Sequence, residues 1–132
     1  MAVAVTDLAP VPAFGALSLG ELESLASTGE RVEVEGPGVE ITQQGDFGHS
    51  VFAVLEGDAR VLVDGHEVGR LSAGDLFGEI AVISSGRRTA TVESLGPMVL
   101  ASFFKRDIWA LEKSNVAFAD ALRALRATHD ES

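Results

Sequence analysis

The feature that most constrains the fold is a series of short strand-like runs, separated by turn residues roughly every eight to twelve positions. Residues 31–35 alternate between apolar and charged side chains, whereas residues 50–55 are almost all apolar. Asp64-Gly65 lies between two further runs and predicts a hairpin with a type I′ turn. This spacing is typical of an antiparallel sandwich or barrel. The predicted strands are residues 31–35, 39–43, 50–55, 60–63, 66–71, 89–94 and 98–103.

Helical patterns stand on both sides of the strands. Ser18 and Glu21 form a capping-box pattern, which predicts the start of an N-terminal helix. Residues 105–113 and 116–128 predict two C-terminal helices, the second capped by Asn115. The inner side of the first helix is predicted to carry Ile108, Trp109 and Leu111, and the apolar stripe of the second consists of Phe118, Leu122 and Leu125. The predicted fold class is therefore mainly β: an antiparallel β-roll or jelly roll with flanking helices at both ends.

The chain of 132 residues has the length of a single domain. Residues 1–11 are small and contain proline, so they are predicted to form a flexible N-terminal arm. Residues 12–132 are predicted to form the folded domain. Apolar residues make up 46% of the sequence, which excludes a disordered chain.

Charge and composition exclude several classes of function. Twenty acidic and ten basic residues give a net charge of −10, so direct DNA binding is not expected. No run approaches the roughly 20 apolar residues of a membrane helix, and the N-terminus does not resemble a signal peptide. A cytoplasmic protein without a membrane span is therefore expected. The absence of cysteine excludes disulfides, thiolate zinc sites and a cysteine nucleophile.

One segment between two strands carries the chemistry. Gly78 precedes a predicted helical turn over residues 79–83, and the unpaired backbone N–H groups of such a turn attract an anion. Arg88 could bind the same anion through charge-assisted contacts, and Thr89 offers a hydroxyl. Glu79 would repel a phosphate, but its carboxylate could accept a hydrogen bond from a sugar hydroxyl. Phosphate and ribose together indicate a nucleotide.

The motifs Phe77-Gly78-Glu79-Ile80-Ala81 and Arg88-Thr89-Ala90-Thr91-Val92 resemble the phosphate-binding cassette of the cyclic nucleotide-binding domains. That family includes the catabolite activator protein, the regulatory subunits of protein kinase A and the cyclic-nucleotide-gated channels. The resemblance covers about residues 12–127. It implies a regulatory sensor module that binds cAMP or cGMP without consuming it, with the predicted turn as a short cassette helix.

The resemblance also implies a role for each matching residue of the cassette. Glu79 and the Gly78 carbonyl would bind the ribose 2′-hydroxyl. The backbone N–H groups of Ile80 and Ala81 would bind the cyclic phosphate. The second C-terminal helix would close over the base as a lid or relay, and could pair with a second copy of the chain or with a partner protein.

The second motif supplies the charge. By the same resemblance, Arg88 would pair with the phosphate, and Thr89 would contact the phosphate or the base. Two positions depart from the family pattern: Arg87 stands where proline is usual, and His49 stands where an acidic residue is common.

Two alternatives from other classes remain open. A degenerate β-roll used only for protein association predicts a tight dimer that binds no nucleotide. A cupin-like metal enzyme predicts bound metal, but His49 and His66 are far apart in the sequence and no His-x-His motif occurs. The sequence predicts no catalytic residue, no metal ligand and no cofactor, so an enzyme is not expected.

Overall fold

Two four-stranded antiparallel sheets form the body of the computed structural model, which describes residues 2–78 and 88–130. The strands within these ranges are β1 (Glu30–Val34), β2 (Glu40–Thr42), β3 (Ser50–Glu56), β4 (Ala59–Val63), β5 (His66–Leu71), β6 (Leu76–Phe77), β7 (Thr91–Ser94) and β8 (Met98–Phe104). The first sheet has the order β1-β8-β3-β6, and the second has the order β2-β7-β4-β5. The predicted antiparallel β-roll is confirmed.

The helices lie before and after the strands, as predicted. Ser18 and Glu21 form the capping box, since each side chain accepts a hydrogen bond from the other residue's backbone N–H, at 3.2 and 2.9 Å. The described helices are α1 (Val5–Leu8), a 3₁₀ helix (Pro12–Ala16), α2 (Leu19–Thr28), α3 (Lys105–Ser114) and α4 (Val116–Asp130). The short cassette helix predicted over residues 79–83 lies outside the described residues.

The hairpin between β4 and β5 turns as predicted. Asp64 has a φ of 52° and Gly65 a φ of 82°, the two positive values that a type I′ turn requires. By contrast, β6 is not among the predicted strands, because two residues are too few to show a period. It is recognised only by its pairing with β3, in which Phe52 lies opposite Phe77.

Two apolar clusters hold the fold together, and β3 contributes to both. Val51 and Ala53 belong to a cluster shared by the first sheet and the helices. Val54 belongs to a second cluster formed by residues of both sheets, and Phe52 packs against it. Successive side chains of a strand point to opposite faces. A single strand therefore connects the helical layer with the space between the sheets.

The apolar stripe of α4 packs on its own domain. Phe118 and Leu122 are fully buried, and the ring centroids of Phe118 and Phe14 are 6.2 Å apart. Leu125 is partly buried against the same cluster. This stripe is therefore part of the hydrophobic core.

The sequence pattern places one residue of α3 on the wrong side. Ile108 is buried and Leu111 is partly buried, as predicted, but Trp109 is 36% exposed. Each residue turns a helix by about 100°, so Trp109 cannot share the face that its neighbour Ile108 buries. The Lys105 ammonium lies 5.3 Å from the centroid of its ring.

The segment before residue 12 is packed against the domain. Val3, Leu8 and Val11 are at most 6% exposed and belong to the helical cluster. Ala2 also forms a bridge with Glu30 at the start of β1. The domain boundary at residue 12 and the motion of the arm stay predictions, but these side chains contribute to the core.

In the part of the chain that the structure describes, no helix is both long enough and apolar enough to cross a bilayer.

Candidate functional site

Arg88 is fixed through its backbone to the loop between β2 and β3. Its N–H donates to the Asp46 carbonyl at 2.6 Å, and its own carbonyl accepts from the Gly45 N–H at 2.9 Å. Gly45 has a φ of 90°, in the left-handed region that favours glycine. These bonds continue the pairing of β2 with β7 and fix the point from which the arginine side chain starts.

The side chain of Arg88 reaches the end of β6. Its Nη1 donates to the Gly78 carbonyl at 3.3 Å, in a partly buried setting. Gly78 has a φ of 91°. A Cβ atom at this position would lie 2.5 Å from Arg88 Nη1 and 2.9 Å from the Ser50 carbonyl oxygen. Glycine is therefore needed here for its backbone conformation and for the close approach of the guanidinium.

A cleft of about 300 Å³ lies beside Arg88. This volume falls at the lower end of the range for small-molecule sites. The lining combines one basic residue, Arg88, with two acidic residues, Glu40 and Asp46, so the cleft alone does not define an anion site. The lining residues are Glu40, Ile41, Thr42, Gln43, Asp46, Phe47 and Arg88.

The loop that holds Arg88 is itself held on two sides. The Gln44 N–H donates to Thr91 Oγ1 at 3.0 Å. The Gln44 side chain also exchanges two hydrogen bonds with Asp64 at the hairpin tip, at 3.0 and 2.8 Å. The sequence signals a turn at Gly45, but it does not indicate these contacts, because two of the three bonds have a backbone N–H as donor and all three join residues distant in sequence.

The structure describes half of the predicted ligand-binding residues. It brings Gly78 and Arg88 into contact, and it leaves Thr89, the next residue, exposed. The other three predicted residues lie outside the described ranges: Glu79, Ile80 and Ala81. Their roles stay predictions, as does that of Arg87.

The histidines offer no metal centre in the part of the chain that the structure describes. No group of three His, Cys, Asp or Glu side chains there could hold a metal ion. His66 begins β5 opposite Val63, and the His49 carbonyl accepts a hydrogen bond from the Lys105 N–H. The described residues therefore contain no set of metal ligands of the kind that a cupin-like metal enzyme would need.

A family model described as the cyclic nucleotide-binding domain matches residues 33–115, more than half of the chain. The chain belongs to this family. Gly78, Arg88 and Thr89 all fall inside the matched range. The resemblance drawn from the two cassette motifs is therefore confirmed at the level of the family.

Relatives of this cyclic nucleotide-binding domain include a channel, a protein kinase A regulatory domain and a catabolite activator protein. A cyclic nucleotide-gated potassium channel from Rhizobium etli is 32% identical over 116 residues, which cover 88% of this chain and 32% of the channel. The solved regulatory domain of Toxoplasma gondii protein kinase A with cAMP has a TM-score of 0.81 and 25% identity, covering 97% of this chain and 49% of that one. The Thermus thermophilus catabolite activator protein has a TM-score of 0.75 and 29% identity, covering 91% of this chain and 58% of that one. This chain thus spans about a third of the channel and less than two thirds of each of these two solved proteins.

Proposed function

We propose that this cyclic nucleotide-binding domain binds a cyclic nucleoside monophosphate, cAMP or cGMP, as a regulatory module and does not consume it. The observation that carries the proposal is the contact between Arg88 Nη1 and the Gly78 carbonyl, 3.3 Å apart. It joins the two ends of the segment whose motifs match the family's phosphate-binding cassette. The Toxoplasma relative is described with cAMP, and the channel relative is described as cyclic nucleotide-gated.

The net negative charge of the protein means that an anionic ligand needs a positive charge close to its binding site. The chain carries a net charge of −10, so its overall field repels an anionic ligand. A cyclic phosphate bears one negative charge and must leave water to bind. Arg88 compensates that charge locally through charge-assisted hydrogen bonds. We propose that the N–H groups of Ile80 and Ala81 supply further donors.

The sugar would be recognised at the other end of the cassette. The Glu79 carboxylate and the Gly78 carbonyl are both acceptors, and a ribose 2′-hydroxyl is a donor that suits them. The Gly78 carbonyl accepts from Arg88 in the described structure and has a second lone pair. One carbonyl can therefore accept from the arginine and from the ribose together.

Calorimetric titration with cAMP and cGMP tests the proposal, with 5′-AMP as the noncyclic comparison. We expect saturable binding of the cyclic nucleotides. Arg88→Ala should weaken that binding by roughly thirty- to several-thousand-fold, because truncating one partner of a buried charge pair costs about 2–5 kcal/mol. Heat release for neither cyclic nucleotide would contradict the proposed function.

Arg70→Ala is the matched control for charge. It removes the same charge from β5, where Arg70 is exposed and forms an ion pair with Glu67 at 3.2 Å. We expect an affinity within about twofold of the unaltered protein. Arg87→Ala, next to the binding arginine in sequence, should cost less than about tenfold. Equal losses for Arg87 and Arg88 would show that the cassette register is wrong.

Base choice is the second part of the proposal. Thr89 follows Arg88 and is exposed, and its hydroxyl could accept from the exocyclic amine of guanine. We expect cAMP and cGMP to bind with a difference of only about 1–3 kcal/mol. Thr89→Ala should weaken cGMP more than cAMP. A selectivity beyond a thousandfold in either direction would contradict this assignment.

We also propose that α4 serves as the lid or relay. The break at Asn115 separates α4 from α3, and breaks between helices are natural hinges. A homodimer through Phe118 and Leu122 would require buried side chains to leave the core. A partner protein, or a second copy, would therefore use another face of α4. We expect no direct DNA binding.

A further inference from the structure

Arg88 lies over the face of an aromatic ring. Its guanidinium carbon is 5.7 Å from the centroid of Phe52, within the range of a cation–π contact. The Phe52 ring is stacked in turn on Phe77, with centroids 5.0 Å apart and planes inclined by 18°. The three groups therefore lie one above another, in the order Phe77, Phe52 and Arg88.

The layer is built into the first sheet. Phe52 and Phe77 lie directly opposite each other on β3 and β6, and directly opposed side chains of an antiparallel pair stand on the same face. Phe77 is 4% exposed and belongs to the cluster between the sheets, whereas Phe52 packs against its edge and is half-buried. The ring beneath Arg88 is therefore supported by the core.

The same short strand supplies a second contact to the arginine. Gly78 follows Phe77 immediately, and its carbonyl accepts from Arg88 Nη1. A guanidinium can stack with its flat face on an aromatic ring, and its N–H groups then lie in the plane of the group. The ring can thus fix the plane of the guanidinium while its N–H edge binds an anion.

We propose that Phe52 is a positioning residue for Arg88. The proposal rests on the proposed function and adds the determinant that orients the phosphate-binding arginine: the ring face holds the guanidinium in the plane from which it meets the cyclic phosphate. Without that face, a long side chain would lose rotamer freedom on binding, and this loss would weaken the affinity.

Substitutions at Phe52 test the proposal by calorimetry with cAMP and cGMP. Phe52→Leu keeps an apolar side chain but removes the ring, and we expect affinity to fall about three- to thirty-fold. Phe52→Tyr retains the ring face and should bind within about twofold of the unaltered protein. Affinity for Phe52→Leu equal to that of the unaltered protein would overturn the proposal.

The chain offers a matched control. The Arg106 guanidinium carbon lies 5.3 Å from the ring centroid of Phe104, which is 55% exposed. Phe104→Leu removes the same kind of contact from a different arginine, and we expect no change in nucleotide affinity. An equal loss of affinity for Phe104→Leu and Phe52→Leu would overturn the specific role of Phe52.

A second variant separates attraction from packing. Pentafluorophenylalanine at position 52 keeps the shape of the ring and reverses its quadrupole, so it preserves the stack on Phe77 while repelling a cation. We expect it to lose affinity as Phe52→Leu does. Unchanged affinity would overturn the cation–π basis of the proposal, even if the leucine variant fails to fold.

A measurement without nucleotide distinguishes this inference from the proposed function. A proton near an aromatic face experiences a ring-current shift, so the Arg88 Nε–H resonance should move in Phe52→Leu and stay near its original position in Phe52→Tyr. A resonance that is the same in all three proteins would overturn the inference. Failure of the unaltered protein to bind either nucleotide would instead contradict the proposed function.

Discussion

Gly78 is the residue of the candidate site that the geometry restricts most closely to glycine. Its φ of 91° and the 2.5 Å approach of Arg88 Nη1 to an added Cβ impose two separate requirements. We expect Gly78→Ala to lower cyclic nucleotide affinity at least about tenfold, because the methyl group would displace the guanidinium. Calorimetry measures the affinity, and urea unfolding measures the accompanying loss of stability.

Gly38→Ala separates the two effects. Gly38 has a similar φ of 81°, but an added Cβ there would meet no atom within 4 Å. Alanine at such a position costs about 1–2 kcal/mol of stability through backbone strain alone. We expect Gly38→Ala to lose stability and keep its affinity. Parallel losses of affinity in both variants would show that strain, and not the approach of Arg88, is responsible.

The motif spacing predicts Gly78 and Arg88, but it does not predict the residues that support Arg88. Gly78 and Arg88 could be identified because glycine and arginine in that order form a recognisable pattern. Asp46 supports the site with a backbone carbonyl, which every residue possesses. Phe52 looks like any other apolar residue of a buried strand. Neither contact leaves a signature in the side-chain sequence.

At the scale of elements, one side chain joins three helices. Asn115 Nδ2 donates to the Ala16 carbonyl and to Glu21 Oε1, both at 3.0 Å. Its Oδ1 accepts from the Phe118 N–H at 3.0 Å, which confirms the predicted cap of α4. The hydrogen bond that the Glu21 carboxylate accepts from the Ser18 N–H lowers the pKa of that carboxyl. Burial opposes this effect, and the hydrogen bond from Asn115 adds to it.

We expect Asn115→Ala to destabilise the domain by about 1–3 kcal/mol, since it removes a helix cap and leaves its partners unpaired. Urea unfolding measures the change. Ser114→Ala is the control, because Ser114 is the preceding residue and its hydroxyl donates to the nearby Leu111 carbonyl at 3.3 Å, within the same helix. Its effect should stay within about 0.5 kcal/mol. Equal effects would mean that the contacts between helices contribute nothing.

Motion of α4 is a separate prediction. If the helix is a lid, cyclic nucleotide should change amide hydrogen exchange in residues 115–128 as well as in residues 74–92. The reason is that closure would alter the packing of Phe118 against Phe14. Exchange measured by mass spectrometry resolves both segments. Protection confined to residues 74–92 would show that α4 does not respond.

The elements were predictable to the extent that their pattern is local. The hairpin, the capping box and the helix cap each depend on residues within four positions of one another, so the sequence indicates them directly. The two-residue strand β6 depends on β3, and the burial of Val3 and Leu8 depends on distant elements. Both features are determined by tertiary packing, which cannot be predicted from the pattern of a single sequence.

For the whole molecule, ligand binding should appear as thermal stability. A ligand at one hundred times its dissociation constant stabilises the folded state by about 2.7 kcal/mol. For a domain of this size, the shift in Tm should be roughly 8–14 °C. We expect cAMP to raise the Tm of the unaltered protein and of Arg70→Ala, but not that of Arg88→Ala. A shift that survives in Arg88→Ala would indicate binding at another place.

The position of Trp109 gives the protein a built-in optical reporter. It is the sole tryptophan of a chain without tyrosine, so excitation near 295 nm selects one ring. That residue is 36% exposed, and its ring lies close to the Lys105 ammonium. It belongs to α3, the helix that leads into Asn115. The wavelength of its fluorescence emission and its quenching by iodide would therefore change with any rotation of α3. Stopped-flow mixing can follow this change in an unlabelled sample.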